Sequence, residues 1–292
     1  MINPGSGSGR GQRAWTQLIA QHPVLRDACV VAEPSADSAR SAITELIRSE
    51  VDQLIAIGGD GTAHLTVNTL LQNDRGHKVA FGLIPAGTGS DFARTLKLPK
   101  RLDRALNRIL YASPRPIDVL SMRTDSGAQH YTLNITSAGL SGAVASAVNT
   151  KPQRGGLVYL STTVVALRHY QPAHCRLWLD NRLFFEGEFF LIAIANGQYF
   201  GNGMRVAPRA KIDDGLADVV VIPPIPLWHL PYRLPQFMFG WHLNASVVKY
   251  GRASTIRLEP SAGTPPLELD GETISSESVT YTVHSKALKL LN

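Results

Sequence analysis

The sequence predicts an α/β domain with a parallel sheet and flanking helices, followed by a mostly antiparallel β domain. Three observations predict it. Short apolar runs alternate with helical spacings over the first third. Two of those runs end in glycine-rich turns that open a helix. After Pro114 and Pro116 the chain changes to a succession of short strand-like runs. Strand–helix alternation builds a parallel sheet covered on both faces, whereas serial short strands build antiparallel layers.

Residues 28–32 read as a short buried strand. From Ala39 onward, Ala42, Ile43, Leu46 and Ile47 recur at helical spacing. Residues 53–57 form a second apolar strand that stops at Gly58-Gly59. Ala63, Val67, Leu70 and Leu71 then share one helix face. Residues 79–84 are a third strand, closed by Pro85 and Gly87, and residues 92–98 and 102–111 read as helices. Strand-like runs follow at 117–122, 131–136, 174–179, 188–195, 217–222, 255–258 and 279–283. Helical stretches near 142–149 and 157–170 interrupt them. The change falls at residues 113–116, where two prolines stiffen a turn. This gives an α/β domain over 1–115, completed by a returning strand within 285–292, and a β-rich domain over 116–284.

Of the 292 residues, 44% are hydrophobic and 18% charged, which excludes wholesale disorder. Two cysteines, Cys29 and Cys175, exclude a disulfide scaffold and fit a reducing compartment. No zinc-type spacing occurs. The net charge of +6 attracts phosphate groups of any origin, yet no run of five Lys or Arg marks a nucleic-acid binder. No stretch of 18 apolar residues occurs, and residues 1–7 carry no apolar signal-peptide core. A cytoplasmic location with peripheral membrane contact is the expectation.

The chemistry-bearing segments are glycine turns. Gly58-Gly59-Asp60-Gly61-Thr62 lies directly between a strand and a helix. Glycines there let backbone approach a ligand, and the helix start offers free N–H groups and a positive dipole end. Asp60 would repel a bare phosphate, so the pattern points to a nucleotide with a divalent cation. A helix-capping turn is the plainer alternative. The device recurs at Pro85-Ala86-Gly87-Thr88-Gly89-Ser90-Asp91, with Ser90 or Asp91 placed to cap the next helix. Two adjacent strand ends so built make one phosphate-binding rim. Asn3-Pro4-Gly5-Ser6-Gly7-Ser8-Gly9 with Arg10 is a third glycine-rich segment, readable equally as a loose terminus. None is a P-loop, and Arg10 breaks the Gly-x-Gly-x-x-Gly spacing.

In this order, NPGSG at 3–7, GGDGT at 58–62, PAGTGSDFAR at 85–94 and LDGE at 269–272 resemble the diacylglycerol kinase catalytic-domain family. That family includes soluble bacterial lipid kinases and sphingosine kinases and is related in fold to NAD kinases. The resemblance spans Asn3 to Glu272. It implies ATP and Mg2+ as cofactors and a lipid as acceptor of the γ-phosphoryl group, with diacylglycerol or a related lipid first. It implies that Gly58, Gly59, Asp60, Gly61 and Thr62 hold the ATP phosphates, with Asp60 at the catalytic Mg2+. Gly87 and Thr88 would contact the nucleotide, and Asn3 and Ser6 would complete its rim. Asp270 would be the general base, with Glu272 supporting it or taking that role. The plainer reading of Asp270-Gly271 is a hairpin turn. Lys211-Ile212-Asp213-Asp214-Gly215-Leu216 resembles a structural Mg2+ site of soluble bacterial members. Its ligands would be the Lys211 carbonyl, the Asp214 side chain and the Leu216 carbonyl, and an Asp-rich turn is the alternative.

The sequence departs from the family in three places. It starts almost at the asparagine of the first motif, so most of the usual first strand is missing. His64-Leu65 follows GGDGT where Asn-Glu is common, and Ser90 stands where Asn is common. These weaken a subfamily assignment more than the kinase reading.

Residues 225–250 hold Leu227, Trp228, Leu230, Tyr232, Leu234, Phe237, Met238, Phe239, Trp241 and Leu243, interleaved with His229, Arg233, His242 and Lys249. Such a segment can lie in an anionic membrane interface or pack as a core helix. The expected partners are therefore a lipid substrate and a membrane surface, without nucleic acid; a homodimer is compatible with the sequence. An NAD-kinase-like enzyme with a soluble acceptor and a non-catalytic nucleotide sensor are the alternatives.

Overall fold

The structure, a computed structural model, describes residues 1–149, 162, 165–166, 170–261, 265–269, 272–274 and 276–292. The expected helix over 157–170 falls mostly outside them. The chain divides into two compact units, residues 1–117 with 286–292, and residues 118–285.

The first unit runs α1 (Arg10–Gln21), α2 (Ala36–Arg48), β1 (Gln53–Gly58), α3 (Asp60–Leu71), β2 (Ala80–Pro85), α4 (Asp91–Thr95) and α5 (Leu102–Leu110). Strand β1 pairs in parallel with β2, with Ile57 opposite Ile84. Residues 289–291 of the chain's last strand pair in parallel with the other edge of β2, as the returning strand requires. Beyond β1, Ile2 bridges Ile57 in parallel, and its N–H donates to the Val31 carbonyl at 2.7 Å. Residues 1–3 thus take the place of the short first strand. The predicted strand over 28–32 does not form. Residues 29–33 run without regular structure, touching the sheet through Val31, because the 3-10 turn Pro23–Asp27 ends beside them.

Helices cover both faces of this sheet. Ala14 and Leu18 of α1 and Ala105, Leu106 and Ile109 of α5 pack with Ile57 and Ile84. Strand alternation turns Leu54 and Ala56 the other way, and they are buried too. There α3 packs on β1, with α2 against it. Helix α2 starts at a capping box between Ser35 and Ser38. Helix α1 was not legible as a helix; its buried Gly11, Ala14 and Leu18 recur at three and four residues, a narrow stripe among glutamine and arginine.

The second unit holds β3 (Arg115–Thr124), β4 (Gln129–Thr132), β5 (Ile135–Gly139), α6 (Leu140–Asn149), β6 (Ala173–Leu179), β7 (Arg182–Phe189), β8 (Leu191–Ala195), β9 (Ala217–Ile222), α7 (Leu230–Phe239), β10 (Lys249–Ala253), β11 (Thr255–Pro260), β12 (Leu267–Leu269), β13 (Glu272–Ile274) and β14 (Val279–Leu291). One antiparallel sheet has the order β10-β9-β8-β5-β12-β13. In the other layer β14, β11, β6 and β7 pair antiparallel in turn. The expected strand over 131–136 is two strands, since residues 133–134 break the run. The expected strand over 188–195 is the end of β7 and all of β8, and most of β7 was not foreseen. Strands β10, β12 and β13 were not foreseen either; they are short and carry little apolar alternation.

Strand β9 shows why this domain reads as nearly continuous apolar sequence. Val219 and Val221 face the core between the sheets, with Ile192, Ile194, Ile256, Leu258 and Tyr281. Val220 and Ile222 face a second core with Phe200, Val206 and Ala207, against which Phe237 and Leu243 pack. A sheet buried on both faces removes the polar half of the alternation.

Leu290 is fully buried in the returning strand, opposite Phe81 of β2. Leu290→Ala is expected to cost about 3 kcal/mol, read as a lowered urea midpoint.

Candidate active site

Three glycine turns meet at one end of the first unit's sheet. The Gly58 carbonyl accepts from Ala86 N–H at 2.8 Å and from Gly87 N–H at 3.1 Å. Gly59 and Gly87 then lie backbone against backbone. A Cβ on Gly59 would stand 3.0 Å from the Gly87 Cα, and a Cβ on Gly87 would strike the Gly59 Cα and come within 3.0 Å of its nitrogen. Glycine is needed at both positions for space, not for backbone angle. The first loop joins them. Gly7, at φ +56°, lies so close that a Cβ would come within 2.7 Å of the Ala86 carbonyl. Asn3 Nδ2 donates to Thr62 Oγ1 at 3.2 Å, and Ser6 Oγ lies 3.7 Å from a Cβ position on Gly59.

Two helices begin at this rim without a side-chain cap. Helix α1 starts after Gly9 and α3 after Gly59, each 12 residues long. Their positive ends favour an anion. Arg10 adds a full charge: its guanidinium donates to the exposed Thr88 Oγ1 and to the Gly7 carbonyl, both at 3.1 Å. Arg13 and Arg94 are tied to the same loops, through the Ser8 and Gly89 carbonyls. Gly61 faces open space, with nothing within 4 Å of a Cβ placed there.

Asp60 has a structural task. Its two carboxylate oxygens accept the N–H groups of Asp91 at 3.0 Å and Phe92 at 3.1 Å. It caps α4 from 31 residues away. The expected cap at Ser90 or Asp91 is corrected accordingly: Ser90 occupies the cap position at φ 53°, but its hydroxyl makes no capping bond. Carboxylate oxygens are ligands suited to a hard cation, so Mg2+ is chemically compatible with Asp60.

The 211–216 turn belongs to the second unit and is differently built. The Gly215 N–H donates to Asp118 Oδ2 at 2.6 Å, and the Ile212 carbonyl accepts from Asp118 N–H at 2.7 Å. Asp214 Oδ1 accepts from Leu216 N–H at 3.3 Å, while its Oδ2 is paired with the Arg252 guanidinium. Arg252 Nε also lies 3.4 Å from Oδ2 of the fully buried Asp218, whose Oδ1 accepts from Tyr250 Oη at 2.6 Å. Burial pushes the Asp218 carboxyl above the usual carboxylate range, and the Tyr250 hydrogen bond and Arg252 charge oppose that rise. The carboxylate meant for a cation is thus already neutralised by an arginine. Among the described residues no group of three His, Cys, Asp or Glu side chains is arranged to hold a metal ion. Of the set Lys211, Asp214 and Leu216, the one side-chain ligand is thus committed to Arg252.

Residues 1–122 match the diacylglycerol kinase catalytic domain, and residues 134–292 match the YegS C-terminal NAD kinase beta sandwich-like domain. A protein of Stenotrophomonas maltophilia (strain K279a) named "Probable lipid kinase YegS-like" is 34% identical over 239 residues, covering 80% of this chain and 76% of that one. The chain belongs to the YegS-like lipid kinase family. A second relative of the same name, from Chromohalobacter salexigens, is 30% identical over 84% of this chain and 78% of its own. A solved diacylglycerol kinase from Bacillus anthracis str. Sterne shares the fold, with a TM-score of 0.72 at 21% identity, over 99% of this chain and 94% of that one.

In this lipid kinase the structure brings Asn3, Ser6, Gly58, Gly59, Asp60, Thr62, Gly87 and Thr88 to one rim. Asp270 lies outside the described residues, as does the Glu272 side chain; the Glu272 backbone opens β13 opposite Leu269. Sequence reasoning set Arg10 with the third glycine-rich segment but gave its side chain no role at the rim. It missed Arg252, for which no local signal exists.

Gly87→Ala is expected to cost the kinase about 1–3 kcal/mol of stability, because backbone and not a flexible side chain must move. Gly61→Ala, in a helical position with open space, is expected to hold stability or raise it by up to about 1 kcal/mol. Paired thermal melts check both.

Proposed function

We propose that this enzyme transfers the γ-phosphoryl group of ATP to the hydroxyl of a lipid, diacylglycerol or a related one. The observation that carries the proposal is the convergence of three glycine turns, two uncapped helix starts and Arg10 on one rim. Backbone N–H groups and an arginine, without a covalent nucleophile, are what phosphoryl transfer asks of a protein: position and charge neutralisation. Gly61 leaves open space for a phosphate to approach the backbone, and Gly59 and Gly87 bring the two turns together beside it. Asn3 holds Thr62, and Thr88 holds Arg10, so the donors are in place before the nucleotide arrives.

Asp60 would hold Mg2+ through the same carboxylate that caps α4. A Mg2+ there supplies neutralisation of the phosphate charge. Asp60 also keeps the second glycine turn in register, so it couples metal binding to the shape of the rim. By the family resemblance Asp270 removes the proton of the lipid hydroxyl, with Glu272 supporting it or acting in its place.

The lipid is met at a membrane surface. Among the described residues no helix is long and apolar enough to cross a membrane. Residues 225–250 instead face two ways: Phe237 and Leu243 pack on the sheet, while Trp228, Tyr232, Phe239 and Trp241 are 77%, 68%, 59% and 60% exposed. No acidic residue occurs between Asp218 and Glu259. Exposed Trp and Tyr with Arg233 nearby suit an anionic interface.

Labelled γ-phosphate from ATP should enter one lipid of a total lipid extract with the wild type, and at least about 100-fold more slowly with Asp270→Asn. Label only in water-soluble products would favour a soluble acceptor and reject the lipid reading. For the surface, Trp228→Ser/Phe239→Ser should lower sedimentation with phosphatidylglycerol vesicles at least about tenfold while the melting temperature holds. Unchanged vesicle binding would reject the docking reading.

A further inference from the structure

The cluster behind the 211–216 turn carries an inference independent of phosphoryl transfer. We propose that Arg252 is a built-in replacement for a structural divalent cation: its guanidinium neutralises Asp214 and Asp218 and ties the turn to β10, so the second unit folds and holds its shape without metal.

The placement follows from strand register. Antiparallel pairing of β9 and β10 sets Arg252 directly opposite Asp218 and Tyr250 opposite Val220. Directly opposed side chains on one sheet face are in contact range. From there the planar guanidinium reaches two carboxylates at once, Asp214 through Nη2 and Asp218 through Nε. A fork of fixed N–H donors suits such bridging, and the group keeps its charge at every physiological pH.

Three carboxylates around the turn have partners within the chain. Asp118 takes the Gly215 N–H, Asp214 takes the Leu216 N–H and Arg252, and Asp218 takes Tyr250 and Arg252. Arg209 lies over the Tyr250 ring, its guanidinium carbon 5.1 Å from the centroid, adding positive charge behind the hydroxyl. A divalent cation at the Asp214 oxygen that the guanidinium holds would sit against a full positive charge. Arg252 and a metal at this turn are therefore alternatives. With Asp218 fully buried, removing the arginine would leave an uncompensated carboxylate in the sheet.

The test uses the full chain without nucleotide and does not read kinase activity, so it stands or falls apart from the proposed reaction. Manganese titration followed by electron paramagnetic resonance should show no bound equivalent that depends on Asp214. EDTA should leave the wild-type melting temperature where it is. Arg252→Ala should lower that temperature by about 5 °C. An equivalent of Mn2+ bound by the wild type and lost in Asp214→Asn would overturn the proposal. So would a wild-type melting temperature that falls with EDTA, or one unchanged by Arg252→Ala. If Arg252→Ala fails to fold, the wild-type arms decide alone.

Discussion

The contact between Gly59 and Gly87 is the constraint on which the rest of the rim depends. Two strand ends can be drawn this close only if neither turn carries a side chain at the crossing point. The two hydrogen bonds on the Gly58 carbonyl hold them there, and the first loop then closes over Ala86 through Gly7. Everything that could touch a phosphate is referenced to this junction: the start of α3 from one turn, Thr88 from the other, and Arg10 across both. A preformed cradle of this kind needs little rearrangement to meet an anion, and the chain has met its ordering cost in folding.

Asp60 makes the junction cooperative. Its carboxylate leaves the first turn to cap the helix that follows the second. An acidic residue in the middle of an anion site is unfavourable for bare phosphate and favourable for a phosphate that brings a cation. In this protein the same side chain earns a second reason for its presence, since α4 is only five residues long and has no cap of its own. The residue that reads as purely chemical in the sequence is also an architectural one. In the second unit the relation is reversed: Asp214 reads as a metal ligand and is used as half of an ion pair.

Much of the fold was legible because the local signals were strong and consistent. The strands 53–57 and 79–84 run into glycine-rich turns, the helices after them carry apolar residues at helical spacing, and the strand within 286–291 does return to β2. What failed did so for identifiable reasons. Residues 28–32 are apolar enough for a strand, but the edge of β1 is already taken by Ile2, and they meet Ile2 through the Val31 carbonyl. Strands β12 and β13 are three residues each, too short for any periodicity to register. The aromatic segment 225–250 admitted both a core and a surface reading, and it has both faces: Phe237 inward, Phe239 outward.

By itself the sequence determined the order of the chemistry, because glycine turns after apolar strands and before helices are local patterns whose physics needs no distant partner. It determined the family for the same reason, through four short motifs in a set order. Only the tertiary structure decided which groups those motifs meet. Arg252 faces Asp214 because β9 and β10 pair in one register, and a shift by one residue would turn it to the other face. Arg10 reaches Thr88 across 78 residues, and Asp60 caps a helix 31 residues away. Contacts of that range depend on how strands and loops are packed in space, and no local pattern records them.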